Sequence, residues 1–357
     1  MQTHSNFRLL VVRLGAMGDI LHALPAVTAL RQAHPDWVID WVVEPRWRAL
    51  LAAEGSTGRQ SANSAQPLVD RLHYAATRQW RKAPFSRQTI NEFKALRSAL
   101  RAGEYDAVID LQGAIRSALI ARLAGCSRLI GEANPRELPA RWLYSERVAT
   151  HGKHVIEQDV ELASAIAGDQ LVPAAPLLPI DSAAELWADE ILPPASGQHA
   201  VLITPGAGWG AKRWPVERYA SVAQSLIARG FRVLINVGPG EEPLAEAIVS
   251  ATEGAATPLA CTLPQLIALT RRIALVIAGD TGPLHLACAL GRPVVGIYGP
   301  TDPSRNGPFG TRFTVLRSPA SRRNHTRRAA PEAGLLTIQP ADVLRAADAL
   351  LYPESAI

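Results

Sequence analysis

The chain has 357 residues, 48% of them hydrophobic and 19% charged, with a formal net charge of +5. That length allows two domains with full cores, and that apolar share excludes a disordered chain. No apolar run approaches the ~20 residues that span a bilayer. The first residues lack the pattern of a secretory leader. Cys126, Cys261 and Cys288 lack paired or metal-like spacing, so a reduced, cytoplasmic setting is expected.

In chain order, "FRLLVVRL" (Phe7 to Leu14) reads as a buried parallel strand, followed by the turn "GAMGD" and the helix "PAVTALRQAHP". Pro25 places that helix start near Leu24 and leaves Asp19 in the connecting turn. "VIDWVVE" and "DAVIDLQG" are further strands, and "FKALRSALRAGEY" is amphipathic at helical spacing. Basic residues gather here, in "RQWRKAPFSR" and at Arg97, Arg101, Arg116, Arg122 and Arg128. Such a face attracts nucleic acid, an anionic membrane or an acidic small substrate. Pro/Ala-rich segments at 168–185 and 192–198 read as a linker around a short helix. A second strand–helix series follows, in "HAVLITPGAGW", "FRVLINVGPGEEP", "IALVIAGDTGPLHLACALG" and "PVVGIYGPTDP". The amphipathic "QPADVLRAADALL" closes the chain. The expected fold is α/β, with two Rossmann-like, doubly wound parallel-sheet domains facing a central cleft. The expected divisions are 1–175 and 176–340, with 341–357 as a helix packing back on the N-terminal domain.

In such sheets ligands bind beyond the carboxyl ends of the strands, where each glycine-rich turn of this chain falls. In "AGDTGPLHLACALG" the strand stops at Gly279, and Thr281 and Gly282 open a helix whose N–H groups and dipole suit a phosphate. Asp280 and His285 stand alongside. The bland alternative is an ordinary helix cap with a helix histidine. Lys212, on "PGAGWGAKRWP", supplies a point charge for a phosphate, although the spacing is not that of a Walker A loop. Glu241 and Glu242 stand where ribose hydroxyls bind, or are solvated loop acids. Asp19 has two open roles, helix cap or proton acceptor. There is no G-x-G-x-x-G after the first strand, no D-x-D or H-E-x-x-H, and no G-x-S-x-G.

"GAMGDILHALPAV", "YDAVIDLQG", "KRWPVERYA" and "GDTGPLHLACALGRPVVGIYGPTDP" occur in the order seen in the ADP-heptose glycosyltransferases (glycosyltransferase family nine), which the chain resembles over nearly its whole length. "IDWVVE", "RQWRKAPFS" and "RELPARWLY" look closer to the family's type I heptosyltransferases than to type II. The resemblance implies a GT-B fold and inverting, metal-independent transfer of heptose from ADP-heptose to a 3-deoxy-octulosonate residue of a lipid A precursor. It implies Asp19 as general base and Lys212, Asp280, Thr281, Gly282 and His285 at the donor. One of Glu241 and Glu242 would hold the ribose, Glu242 being the choice. It implies Arg116, Arg136 and Lys82 at an anionic glycolipid acceptor. Cofactors and metals are expected to be none, and nucleic acid is not an expected partner. The enzyme would sit in the cytoplasm, peripherally on the inner membrane face. A related transferase or epimerase using another nucleotide-sugar, or a non-catalytic nucleotide-sugar or glycolipid-binding protein, is the alternative. "SPASRRNHTRRAAPEAG" departs from the family pattern as a basic, turn-rich insert, read as a disordered loop or a lipid contact.

Overall fold

The computed structural model describes residues 6–53, 68–194, 199–322 and 330–352. The centre of the basic insert, 323–329, and the last five residues lie outside the described residues. The chain divides into two units, Met1–Ile180 and Asp181–Ile357, a few residues beyond the division expected at 175.

The first unit runs β1 (Arg8–Val12), α1 (Met17–Ala33), β2 (Val38–Val43), β3 (Arg71–Tyr74), α2 (Thr77–Lys82), α3 (Arg87–Arg101), β4 (Ala107–Asp110), α4 (Ile115–Arg122), β5 (Leu129–Glu132), β6 (Glu146–Val148) and α5 (Val155–Ala167). Its strands form one sheet in the order β3-β2-β1-β4-β5-β6. Every described pairing is parallel, with Leu9 opposite Ile39 on one side and Ala107 on the other. Parallel strands are covered on both faces, so β1 is apolar from Leu9 to Val12 and fully buried there.

The second unit begins with α6 (Ser182–Ile191), then β7 (Ala200–Thr204), α7 (Val216–Ala228), β8 (Arg232–Asn236), α8 (Glu242–Ala251), β9 (Thr257–Leu259) and α9 (Leu263–Thr270). It continues with β10 (Leu275–Gly279), α10 (Gly282–Ala289), β11 (Val294–Tyr298), α11 (Pro303–Asn306), β12 (Phe313–Arg317) and α12 (Pro340–Leu351). Its sheet, β12-β11-β10-β7-β8-β9, repeats the first sheet's order and is likewise parallel throughout. In each unit the order reverses between the first and fourth strands, β1/β4 and β7/β10. A crevice opens there because the flanking connections leave toward opposite faces.

Two expectations change. The helix expected from Leu24 begins at Met17 and runs through Pro25. Nearly every residue from Ile20 to Leu30 is buried, and α1 packs along α5. Burial of this length of apolar helix outweighs the one backbone hydrogen bond that proline removes. The last helix was expected to pack back on the N-terminal domain. Instead Val343, Ala346, Ala347 and Leu350 of α12 enter the core of the second unit with residues of α7, β10 and β11. The indole N–H of Trp214 also donates to the Ile338 carbonyl just before α12 (3.1 Å). Leu350→Ala should therefore cost about 2–3 kcal/mol of stability. A denaturant melt checks it, and an unchanged midpoint would show that α12 adds nothing to this core.

Candidate functional site

The first unit's site grows from the turn between β1 and α1. Gly15 has φ +147°, and a Cβ there would lie 2.6 Å from Trp47 Nε1, so only glycine fits both the backbone and the indole. α1 then opens with Asp19 at its third position, where Oδ2 accepts a hydrogen bond from Ala16 N (3.1 Å). Asp19 is thus a capping carboxylate, but its side chain remains 27% exposed. Two cations flank it. Arg136 Nη1 lies 3.9 Å from Oδ2 and projects into solvent, and Arg13 Nη2 lies 3.8 Å from Oδ1. Arg13 is buried, and its Nε also donates to the Asp19 carbonyl (3.0 Å).

Across the switch point, the end of β4 is locked to the end of β1. Leu14 N donates to Gln112 Oε1 (2.8 Å). Gln112 is held by Asp110, which accepts from Gln112 N, Gly113 N, Ser117 Oγ and Tyr144 OH. Burial pushes the Asp110 carboxyl up, against these hydrogen bonds. Of the expected acceptor residues, Arg136 is brought to Asp19. Lys82 ends α2 and Arg116 lies on the first turn of α4, both exposed. Arg13 was not anticipated. Its one sequence signal is a charge inside an otherwise apolar strand run.

In the second unit, Lys212, Asp280 and His285 meet at the β7/β10 switch point. Lys212 Nζ pairs with Asp280 Oδ2, and His285 Nε2 lies 3.3 Å from Asp280 Oδ1. The ammonium also stands 4.3 Å over the Trp209 ring, a cation–π contact that the sequence did not suggest. Burial alone would push the Asp280 carboxyl up. The hydrogen bond to His285 and the charge of Lys212 outweigh it and hold the group well below the usual carboxylate range. Thr281 is the N-cap of α10, but its hydroxyl bends back to the Gly279 carbonyl (3.3 Å). The first-turn N–H groups of Gly282 and Leu284, on either side of Pro283, which has none, are left without a side-chain cap and can receive an anion.

The two glutamates separate. Glu241 Oε2 accepts from Gly238 N (3.0 Å), and its carboxylate fills the space above Gly206, where a Cβ would lie 1.8 Å from Oε1. Glycine at 206 is what lets this carboxylate lie against the loop after β7. Glu242 is exposed and, among the described residues, accepts a long bond from Gly240 N of its own turn (3.3 Å). Among the described residues, no three His, Cys, Asp or Glu side chains gather as metal ligands, and no helix is long and apolar enough to cross a membrane.

Glycosyltransferase family 9 (heptosyltransferase) matches residues 93–335. Lipopolysaccharide heptosyltransferase 1 of Escherichia coli O18:K1:H7 (strain RS218 / NMEC) is 35% identical over 322 residues, covering 88% of this chain and 92% of that protein. Among solved structures, E. coli heptosyltransferase WaaC with ADP superposes with a TM-score of 0.78 at 30% identity, covering 96% of this chain and 100% of that one. WaaC with ADP-2-deoxy-2-fluoro heptose gives 0.75 at 30% identity, covering 95% and 98%.

Because Asp280 is held charged, its stabilising contribution is complete above the ordinary carboxylate pKa of about 4 and is lost as pH falls below it. Asp280→Asn should be less stable than the parent by about 3 kcal/mol at neutral pH, since it strands Lys212 in a largely buried position. Urea melts at a series of pH values should show this gap narrowing below about pH 4. A gap that stays constant to pH 3 would mean that the Asp280 charge is not what holds the cluster.

Proposed function

The chain belongs to glycosyltransferase family 9, and from that premise we propose that it transfers heptose from ADP-heptose, with inversion, to a 3-deoxy-octulosonate residue of the lipopolysaccharide inner core. The observation that carries this is the convergence of Lys212, Asp280 and His285 beside the uncapped N-terminus of α10, at the ligand-binding edge of the sheet. The donor's diphosphate enters there. It takes Lys212 as counter-charge, shared with or drawn from Asp280, and accepts from the N–H groups at Thr281 and Gly282. Glu241, rather than Glu242, receives the ribose hydroxyls, because its carboxylate is fixed against the first glycine loop.

The acceptor hydroxyl binds at Asp19. Its oxygen attacks the anomeric carbon from the face opposite the leaving group, and a new carbon–oxygen bond forms as the sugar–phosphate bond breaks. ADP leaves with that electron pair, and Asp19 takes the hydroxyl proton. Charge growing on the departing diphosphate meets Lys212 and the helix N–H groups, which are already in place and need no reorganisation. No metal is required by this chemistry. Arg136 beside Asp19, with Arg116 and Lys82, offers positive charge to the carboxylate of the acceptor sugar.

Phe85, Ile90 and Phe93 are exposed among Arg81, Lys82, Arg87, Lys94 and Arg97 on α2, α3 and the turn between them. Exposed apolar side chains ringed by cations suit the surface of an anionic bilayer. They support cytoplasmic work at the inner membrane face, where a lipid-linked acceptor would be met.

ADP release from ADP-heptose, with and without a 3-deoxy-octulosonate-bearing lipid A precursor, tests the reaction. Release should depend on acceptor. Asp19→Asn should lower kcat by about 10²–10⁴ with ADP affinity unchanged, and Lys212→Ala should lower kcat by about 10²–10³. Acceptor-independent loss of nucleotide would point to an epimerase, and thermal protection without turnover to a binding protein. In the same assay Glu241→Gln should raise the donor KM about tenfold, the weight of a hydrogen bond to a charged group. Glu242→Gln should leave it nearly unchanged. The reverse pattern would return the ribose to Glu242.

A further inference from the structure

The second sheet gathers positive charge at its other edge too, where β10, β11 and β12 begin. β11 and β12 are each entered through a glycine followed closely by an arginine, Gly291-Arg292 and Gly310-Thr311-Arg312. The two strands pair in parallel with Val294 opposite Phe313, so these entries lie side by side. Thr311 Oγ1 donates to the Arg292 carbonyl (3.0 Å), and Val294 N donates to the Arg312 carbonyl (3.1 Å). Between them and Ala274, at the entry to β10, lies a pocket of about 760 Å³ lined by both arginines, Pro293 and Thr311. Small-molecule sites have volumes of this order.

Neither guanidinium has an ion-pair or hydrogen-bond partner among the described residues. Arg271 and Arg272, which precede β10, show the contrast, because Glu185 and Asp189 pair them. Arg292 follows the end of α10, yet its side chain is not needed to close that helix. The backbone N–H groups of Arg292 and Gly291 already donate to the Ala287 and Cys288 carbonyls (both 2.9 Å). Arg292 Nε is instead buried with no acceptor. An N–H left in that state is costly, and an anion on the guanidinium removes the cost.

We propose that this pocket is a binding site for a small phosphate-bearing anion, held between Arg292 and Arg312. A guanidinium presents paired, coplanar N–H donors that match two phosphate oxygens. Two of them on neighbouring strand entries suit a molecule with more than one negative charge, such as a diphosphate. The pocket is separate from the donor site. The chain runs from Ala274 through β10 to Asp280, roughly 20 Å at about 3.3 Å per residue. One diphosphate cannot reach both places, and ADP beside Lys212 leaves the pocket open.

The test is a calorimetric titration of inorganic pyrophosphate, at low salt, into the full chain saturated with ADP. Pyrophosphate should still bind, and Arg292→Ala and Arg312→Ala should each weaken it about tenfold or more. Arg136→Ala, which removes a cation beside Asp19, should leave the affinity unchanged. Arg312 is exposed, so its truncation spares the core and decides the matter if Arg292→Ala fails to fold. No binding to the ADP-saturated chain, or binding that Arg312→Ala leaves at parental strength, overturns the proposal. Binding that Arg136→Ala alone removes also overturns it, by placing the anion among the cations of the first unit.

Discussion

Parallel strand pairing is the constraint on which the rest of this molecule depends. A parallel neighbour cannot be reached by a tight turn, so each strand must hand the chain to a crossover that returns it to the opposite edge. All strand ends, and the starts of the helices that follow, therefore gather on one edge of each sheet. Asp19, Gln112, Lys212, Glu241 and Asp280 lie far apart in sequence, yet each follows a strand at that edge. The reversal between β1 and β4, and between β7 and β10, then opens the place where a ligand can enter. Chemistry collects there because the backbone delivers helix N-termini and short turns to the same place twice.

The two edges manage charge differently. In the second unit a carboxylate and an ammonium are in contact and mostly buried, and an imidazole completes the cluster. A buried pair of this kind stabilises little on balance, yet losing one partner is costly. In the proposed chemistry an incoming diphosphate replaces one anion with another and leaves Lys212 compensated throughout. In the first unit Asp19 stands nearly 4 Å from both of its cations and keeps part of its surface in water. A carboxylate held loosely by charge but firmly by its helix-capping bond is oriented and still open to solvent.

Supporting groups stand behind those that would touch substrate. Asp110 holds Gln112, which holds Leu14 N; Trp47 dictates glycine at 15; Glu241 dictates glycine at 206. Such buried contacts convert a flexible strand-to-helix turn into a fixed one. In the proposed chemistry that rigidity lets donors and base wait in position instead of being assembled during the reaction.

The alternation of apolar strands with amphipathic helices determined the fold class, because burial on both faces leaves an unmistakable run of hydrophobic residues in each strand. The glycine-rich strand ends marked the neighbourhoods of Asp19, Lys212 and Asp280, because close backbone approach requires glycine wherever it occurs. Tertiary structure decided the rest. Helix α1 passes through Pro25 because its burial exceeds the cost of one lost hydrogen bond, a sum that local propensity cannot contain. Glu241 and Glu242 are adjacent and chemically identical. Only the meeting of the loop after β8 with Gly206 separates them. Asp19 and Arg136 are single charges in separate segments until the loop after β5 meets the first turn of α1. Their proximity comes from segments more than 100 residues apart, and no local pattern can encode it.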